Sequence, residues 1–342
     1  MKKLFIALAT LAAFTACSKM DVQFEQTGEI TFTPISKNIT KSMMDDGEVF
    51  NVNEQFNVWA FYNPTVEPNE DINEWVEEYN TLTTDGGAKI YIDDKTFAYD
   101  QTYSLWAGLT PYFWPKVGTL AFAGYHPTTA NASYTLDSEK NEMIFSDIEN
   151  SWVSSAETNT EDLMYFNLTK SYSENNVSAV FKHALSWLTV YISTTENTLK
   201  AGATITVNSV KFTDVFPMGD GTVENQEDIV WTPEGDAYDV EVVDSGLDLT
   251  KVPQIQKEPL FIPQDMNGNI VINYTISSTD KSSFTENKVI ELNTMKDDKG
   301  NKLTKWEPGK HYIYNIVIST EEILIDPTVT PWTVVNVSQG VN

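Results

Sequence analysis

Arginine is absent from this chain of 342 residues, and cysteine occurs only once, as Cys17. All 22 basic residues are therefore lysines, and 49 acidic residues bring the formal net charge to -27. Without a second cysteine no intramolecular disulfide can form, so the fold has to be stabilised by its own core. The acidic balance argues against binding to nucleic acid or to an anionic membrane surface, because both attract basic patches.

Histidine is almost as scarce, and the sequence motifs of common catalytic sites are missing. The three histidines, His126, His183 and His311, do not have the spacing of a metal site. His183 alternates with Phe181 and Leu185, which favours a core position over a catalytic one. No Gly-x-Ser-x-Gly, glycine-rich phosphate loop or His-Glu-x-x-His occurs. We therefore predict that the chain is not an enzyme, with no catalytic residues, no metal site and no cofactor.

The first seventeen residues have the composition of an export signal. Two lysines precede an apolar run, Leu4–Phe14, which is too short to span a bilayer. Cys17 stands where a lipoprotein signal peptidase would leave it as the new N-terminus, although Phe14 replaces the leucine usual before such sites. An ordinary signal with a chance cysteine is the alternative. We predict a lipoprotein signal peptide over residues 1–16 and lipid attachment at Cys17.

The body of the chain alternates apolar and polar residues with a period of two, as in Leu188–Ile192 and Ile270–Ile276. This period, together with many β-branched and aromatic residues, is typical of strands with one buried face. Turn signals that contain glycine or asparagine separate the segments, such as Asp85–Gly87 and Asn267–Asn269. Many short strands joined by tight turns predict an all-β fold made of sandwiches rather than an α/β fold.

One segment of the first half departs from the strand pattern. Ile72, Trp75, Val76 and Tyr79 recur at helical spacing, and the glutamates between them fall on the opposite face. This arrangement predicts a short amphipathic helix inserted between two strands.

A polar stretch, Ser193–Gly202, separates two series of strands. It suggests a domain boundary, with one domain over residues 42–194 and the second over residues 195–342. The same stretch could instead be the loop of a hairpin within one domain.

Several segments, taken in order and spacing, resemble one known family: Trp59–Phe61, Tyr112–Leu120, Phe122–Pro127, Asp162–Tyr165, Val180–Val190 and Val329–Trp332. They are similar to segments of the fimbrillin family, the lipoprotein pilins that build type V fimbriae in Gram-negative anaerobes. The likeness covers essentially the whole chain. Its most specific parts are the Trp-Pro segment, the Phe-x-His-Ala-Leu-Ser segment and the terminal Pro-Trp.

The resemblance implies two tandem transthyretin-like β-sandwich domains and a structural or adhesive role in a cell-surface fimbria (pilus). Family precursors travel to the outer membrane as lipoproteins, and a surface protease then removes the acylated N-terminal segment with its first strand. A C-terminal strand of the next subunit fills the groove, and this head-to-tail contact grows a filament. The implied partners are other fimbrial subunits, the outer membrane through the lipid, and a host or bacterial surface receptor.

Processing of this chain has to differ from that of many family members. Residues 17–41 would form the lipidated segment, with Glu29–Ile35 as the removable first strand. An arginine-specific protease could not cut the chain, so we predict cleavage at Lys41, with Lys37 as the second candidate. Both lysines could instead be solvated linker residues. An uncleaved subunit would keep its strand and its lipid and act as an anchor or cap.

The donor-strand candidate is the tail from Val329 to Asn342. Its β-prone residues, the ones predicted to pair with a neighbour, are Trp332, Val334, Val335 and Val337. The alternative is that this tail is the last strand of its own domain.

A surface glycan-binding lipoprotein is the competing function. Tryptophans can stack on sugar rings when they are exposed, although in β-sandwiches large aromatics more often pack in the core. The candidate platforms are Trp75, Trp106, Trp114, Trp152, Trp231 and Trp306.

Overall fold

The computed structural model describes residues 28–36, 50, 52–63, 89–102, 104–115, 118–136, 141–153, 162–171, 176–224, 227–255, 257–280, 282–297 and 299–331. Several sequence predictions lie outside these residues. They are the signal peptide, Cys17, Lys37, Lys41, the helix around Trp75, and the tail residues Trp332, Val334, Val335 and Val337. Within the described residues, no helix has the length and apolar character needed to cross a membrane.

Strands dominate the described residues, which confirms the all-β prediction. The first half contains β1 Thr31–Ser36, β2 Gln55–Asn63, β3 Lys89–Asp100, β4 Leu105–Gly108, β5 Thr119–His126, β6 Ala132–Leu136, β7 Asn141–Glu149, β8 Ser151–Val153, β9 Met164–Ser171, β10 Val177–His183 and β11 Ser186–Thr194. The second half contains β12 Thr204–Val215, β13 Met218–Glu224, β14 Val230–Glu234, β15 Tyr238–Asp248, β16 Glu258–Phe261, β17 Gln264–Asp265, β18 Asn269–Ser277, β19 Ser283–Glu291, β20 Lys305–Trp306, β21 Lys310–Ile318 and β22 Ile323–Pro331. Two short helices accompany them, α1 Glu196–Lys200 and a 3-10 turn Leu292–Thr294.

The strands form one closed sheet and several open ones. The closed sheet has the order β1-β10-β9-β5-β2-β3-β4, with β4 returning to β1. Two open sheets have the orders β22-β21-β11-β16-β8 and β15-β12-β18-β19, and a third has the order β14-β13-β7-β6. Strands β17 and β20 form a small separate pair.

Three apolar cores lie between these sheets. One fills the closed sheet and is rich in phenylalanine. A second lies between the β22-β21-β11-β16-β8 and β15-β12-β18-β19 sheets and consists mainly of valine, isoleucine and leucine. The third joins the outer face of the closed sheet to the β14-β13-β7-β6 sheet. The closed sheet and the rest of the molecule therefore share buried apolar surface.

Strand β5 explains how two cores can share one sheet, because all eight of its residues are buried. Leu120 and Phe122 face the closed interior, whereas Ala121, Ala123 and Tyr125 face the third core. Successive side chains of a strand point to opposite faces, so one strand serves both. Gly124 lies where a Cβ atom would meet the Phe166 ring at 2.3 Å, so this position needs glycine.

The polar stretch Ser193–Gly202 connects two different sheets. It contains α1, whose first turn is capped by Thr195 accepting a hydrogen bond from the backbone N–H of Thr198. Strand β11 before it pairs in parallel with β21, and β12 after it pairs with β15 and β18. The flanking strands therefore do not form a hairpin with each other.

The proposed boundary between residues 194 and 195 falls after β11, whose sheet partners β16 and β21 belong to the second half of the chain. Strand β7 also pairs with β13, and β8 pairs with β16. The division at 194–195, and the transthyretin-like character of each half, stay predictions.

Candidate assembly site

Strand β1 is the first described strand, and its alternating sequence places one row of side chains inside the closed sheet. Ile30, Phe32 and Pro34 are buried, while Thr31 and Thr33 on the other face are half-buried. Sequence alternation had predicted a strand over Glu29–Ile35, and the structure places a strand at Thr31–Ser36. The polar–apolar alternation therefore orients the strand as the period of two requires.

Strand β1 lies between two neighbours and closes the sheet. It pairs in parallel with β10, from Phe32 opposite Val177 to Ser36 opposite Phe181. On its other side it pairs with β4 only through Thr31 and Phe32. One flank of β1 is thus a full ladder and the other a short one.

The ring of Phe32 lies at the centre of the closed sheet and has no exposed surface. Its centroid lies 4.9 to 5.9 Å from four other rings, mostly in edge-to-face geometry, namely those of Phe56, Phe97, Phe122 and Phe166. Such aromatic pairs add about 0.5–1.5 kcal/mol each beyond their area burial. Phe32 is therefore the main apolar anchor of β1.

The residues before β1 are held by backbone hydrogen bonds to the segment that follows β4. The N–H of Ile30 donates to the carbonyl of Tyr112 at 2.7 Å, and the N–H of Trp114 donates to the carbonyl of Gly28 at 2.6 Å. Gly28 has a φ of 119°, which glycine adopts without strain. The N-terminal end of β1 is thus held by main-chain hydrogen bonds, one of which depends on the backbone conformation of Gly28.

The outer face of β1 is tied to β10 by one polar side chain. Asn176, directly before β10, accepts a hydrogen bond from the Thr31 hydroxyl at 2.9 Å and donates to the Thr33 hydroxyl at 3.3 Å. At the start of the strand, partial burial and the nearby charge of Asp100 raise the pKa of Glu29 above its usual value. The ionised form of Glu29 therefore weakens the docking of this end.

Loss of β1 would leave an open slot in the closed sheet, with unpaired backbone groups along its sides and exposed apolar rings inside. Strands β4 and β10 would each present a free backbone edge, and the four phenylalanine rings around Phe32 would lose their common partner. Such a slot can be filled by another extended chain that supplies backbone groups and alternate apolar side chains. The arrangement is chemically an acceptor for a β-strand.

The last described strand, β22, lies at the edge of the second sheet. It pairs only with β21, from Ile323 opposite Ile318 to Pro331 opposite Lys310. The first residues of the predicted donor tail, Val329 to Pro331, belong to this strand. For those residues the alternative of a strand within the same chain holds. The donor residues from Trp332 onward stay a prediction.

Each of the three histidines contacts a different set of residues. His183 is buried and donates through Nδ1 to Asp162 at 2.7 Å, and His126 donates through Nδ1 to the Gln55 carbonyl at 2.8 Å. His311 stacks on Trp187 with a centroid distance of 3.7 Å. Each therefore has a packing or hydrogen-bonding role within the fold.

Burial lowers the pKa of His311 to about 3, so this imidazole is neutral at physiological pH. Its Nε2 atom lies 2.8 Å from the hydroxyl of Thr189, which in turn donates to the carboxylate of Glu258. Burial also raises the pKa of Glu258. These three side chains form a polar link across β21, β11 and β16.

One carboxylate cluster was not found from the sequence. Asp147, Asp220 and Glu234 each offer an oxygen within 4.8 Å of the others, and the backbone N–H of Asp147 donates to Asp220 at 2.9 Å. They come from β7, β13 and β14 and are far apart in sequence, so only the pairing of these strands reveals the cluster. Two of the three residues are exposed, which is ordinary for surface acids.

The tryptophans proposed as sugar platforms have different environments. Trp106, Trp114 and Trp306 are buried in the cores. Trp152 is 42% exposed, and Trp231 is half-buried and donates from its indole to the Ala184 carbonyl. Trp75 lies outside the described residues. Three of the six are therefore core residues without an exposed ring for a sugar, which weakens the glycan-binding alternative.

Comparison with known proteins identifies the family of this chain. A model of the fimbrillin-like family matches residues 40–332. Among solved structures, a fimbrial protein from Bacteroides vulgatus ATCC 8482 aligns with a TM-score of 0.58 at 14% identity, covering 89% of this chain and 99% of that one. A protein proposed to act in cell adhesion, from Bacteroides uniformis ATCC 8492, aligns at 15% identity and a TM-score of 0.49, covering 90% of this chain and 100% of that one.

At 14% identity the likeness to the Bacteroides vulgatus protein shows a shared fold. No curated protein matches the chain. The family model is the stronger result, because it spans most of the sequence, from the predicted cleavage region to the terminal Pro-Trp. The chain therefore belongs to the fimbrillin-like family.

Proposed function

We propose that this protein is a structural and adhesive subunit of a cell-surface fimbria, assembled by strand complementation. The observation that carries the proposal is the position of Phe32. It stands on a strand near the N-terminus, inside a closed sheet, between two other strands. Membership of the fimbrillin-like family supports the fimbrial role.

In this proposal the subunit reaches the outer membrane as a lipoprotein through Cys17. Cleavage after Lys41, or after Lys37, separates β1 from the rest of the chain. Phe50, which packs on Phe181 with a centroid distance of 4.6 Å, lies after both cleavage candidates and stays with the mature subunit. The closed sheet then opens at the slot of β1.

The tail of the next subunit fills this slot. Trp332, Val334, Val335 and Val337 would supply the apolar side chains and the backbone groups that β1 supplied before cleavage. The tail follows β22, so its origin on the donor is the edge of the second sheet. Because donor and acceptor surfaces differ, the contact is head-to-tail and extends into a filament.

The experiment is limited lysine-specific proteolysis of the purified full chain, followed by electrophoresis without boiling. We expect a ladder of multimers and a new N-terminus at Ser42. A double variant, Lys37→Gln with Lys41→Gln, should keep its original N-terminus and form no ladder of multimers.

A second variant, truncated after Pro331, keeps β22 but lacks the donor residues. It should be cleaved like the wild type and form no ladder. Cleavage without multimers in the wild type, or equal multimers in the truncated variant, would contradict the proposal. Retention on a polysaccharide gel without any polymerisation would favour the glycan-binding alternative.

A further inference from the structure

Strand β19 is an exposed edge with no covering element among the described residues. It is nine residues long, lies at the end of the β15-β12-β18-β19 sheet, and pairs only with β18. Eight of its residues are exposed, and Ile290 is half-buried. Phe284 is 60% exposed and Val289 is 57% exposed. The outward backbone groups of such a strand are a template for a further strand.

Three other edges of the open sheets carry features that block pairing. Strand β22 contains Pro327 and Pro331, and β14 contains Pro233. Strand β15 has register shifts against β12. Strand β19 has neither proline nor glycine, and its register with β18 is unbroken from Ser283 to Glu291. Within the described residues, it is the one open-sheet edge of more than five residues without such features; the remaining edges, β6 and β8, have only five and three residues.

The sequence of β19 is complementary to itself when two copies run antiparallel. The midpoint of the strand is Asn287, which would face Asn287 of the second copy. Around this centre Glu286 faces Lys288, and Phe284 faces Ile290, each twice by symmetry. Opposite charges and apolar pairs directly across an antiparallel ladder are favourable.

We propose that a second copy of this chain docks on β19, antiparallel and centred on Asn287. The two four-stranded sheets then form one continuous sheet across a two-fold axis. Such a contact uses the same surface on both subunits and closes on itself. It does not involve β1 or β22, so it is a lateral contact that is independent of the head-to-tail assembly proposed above.

Charge selects this register over its neighbours. Moving the centre by one residue would place Glu286 against Glu286 or Lys288 against Lys288, and like charges directly opposite are destabilising. Only the register centred on Asn287 also overlaps all nine residues of both strands.

The side chains on one face are already arranged for this pairing. Phe284, Glu286, Lys288 and Ile290 lie on the same face as Tyr274, because Glu286 stands directly opposite Tyr274 in the ladder. The Tyr274 hydroxyl donates to the Glu286 carboxylate at 2.8 Å, which orients it on that face. Lys288 forms no ion pair within the described part of the chain, so its charge is available to a second copy.

Charge variants of the full chain test the proposal by light scattering over a concentration series. The uncleaved protein should reach twice the 38.5 kDa of one chain. Lys288→Glu places glutamates opposite Glu286 and should return the mass to one chain. The double variant Glu286→Lys with Lys288→Glu restores opposite charges and should recover the dimer.

A wild-type protein that stays monomeric throughout the series would overturn the proposal. Equal dimerisation of the single and double charge variants would do the same. A dimer that disappears when the chain is truncated after Pro331 would also overturn it, because the occupant would then be the tail.

Cysteine cross-linking tests the register independently of charge. In a Cys17→Ser background, Asn287→Cys should form a disulfide-linked dimer under mild oxidation, because facing Cα atoms in an antiparallel pair lie about 4.5–5.5 Å apart. Ser283→Cys is the matched control, since its two copies would lie about 26 Å apart along the strands. Equal cross-linking of both variants would contradict the register.

Discussion

The first and last described strands differ in how the molecule holds them. Strand β1 lies between two neighbours and carries Phe32 into the centre of a core, whereas β22 lies at a sheet edge with one neighbour. Removing β1 would open a slot with two backbone edges. Removing β22 would only make β21 the new edge. This difference teaches that the N-terminal strand is suited to define an acceptor, and the C-terminal end is suited to lead into a donor.

The cores behind these strands differ as well. The closed sheet is filled by phenylalanine rings that meet around Phe32, while the core between the β22-β21-β11-β16-β8 and β15-β12-β18-β19 sheets is filled mainly by valine and isoleucine. Because four large rings contact Phe32, the stability of this core should depend strongly on that one residue. Smaller aliphatic side chains distribute the same burial over many positions.

The largest effect is expected from removing the anchor of β1. Phe32→Ala should reduce the free energy of unfolding by about 3–5 kcal/mol, the usual cost of truncating a fully buried phenylalanine. The matched variant in β22, Ile325→Ala, should cost clearly less, because Ile325 is only partly buried. Urea denaturation measures both, and equal losses would remove the distinction between the two strands.

The second effect concerns the pH dependence of the free energy of unfolding. Because the pKa of His311 is lowered to about 3, the unfolded chain binds a proton that the folded chain does not, and stability falls as the pH drops below about 6.5. His311→Gln should remove a loss of about 2 kcal/mol at pH 5.

Glu258 acts in the opposite direction, since its raised pKa contributes stability at low pH that is lost as the pH rises. It is the same in both proteins, so the comparison between wild type and His311→Gln isolates the histidine. Thermal unfolding at about pH 7.5 and about pH 5 provides the measurement. An equal loss of stability between the two pH values in both proteins would contradict this assignment.

A smaller effect concerns the polar tie of β1. Asn176→Ala removes two hydrogen bonds to Thr31 and Thr33 and should cost about 1 kcal/mol. Asn208→Ala is its counterpart in the β15-β12-β18-β19 sheet, where Asn208 donates to Asn273 and Thr275.

Both variants should lower overall stability by similar amounts. Only the change at Asn176 should speed release of β1 after lysine-specific cleavage, which mass spectrometry of the released segment can follow. Faster release in the Asn208 variant as well would show that general stability, rather than this tie, controls the strand.

The smallest effect is expected at Glu29. Its raised pKa means that the folded state disfavours the carboxylate, so its stabilising contribution is present at low pH and lost as the pH rises through the folded pKa. Glu29→Gln should therefore slow release of β1 at neutral pH and have little effect at low pH. Faster release of the variant at neutral pH would contradict the sign.

Alternation could predict the orientation of β1, because the inward position of Phe32 follows from a period of two. It could not predict that β1 pairs in parallel with β10, since this contact joins residues about 145 positions apart and depends on the whole sheet. The rings around Phe32 come from separate strands, and no local pattern identifies them as one cluster.

Other features were hidden for related reasons. The polar stretch Ser193–Gly202 predicted either a domain boundary or a hairpin loop, and the hairpin is wrong because the flanking strands β11 and β12 pair with strands from distant parts of the chain. The sequence of β19 shows its charges, yet its position at a sheet edge is a property of the topology. Composition and motifs were sufficient to predict the all-β class and the family.

The most direct test of the strand-exchange account is hydrogen exchange in β4 and β10 after cleavage. In multimers of the cleaved chain that keeps its C-terminal tail, the amides of β4 and β10 that face the slot should be protected by the tail of a neighbour. In the cleaved variant truncated after Pro331, the same amides should exchange rapidly. Equal protection in the truncated variant would mean that the protection does not come from the tail of a neighbour, and it would contradict the account.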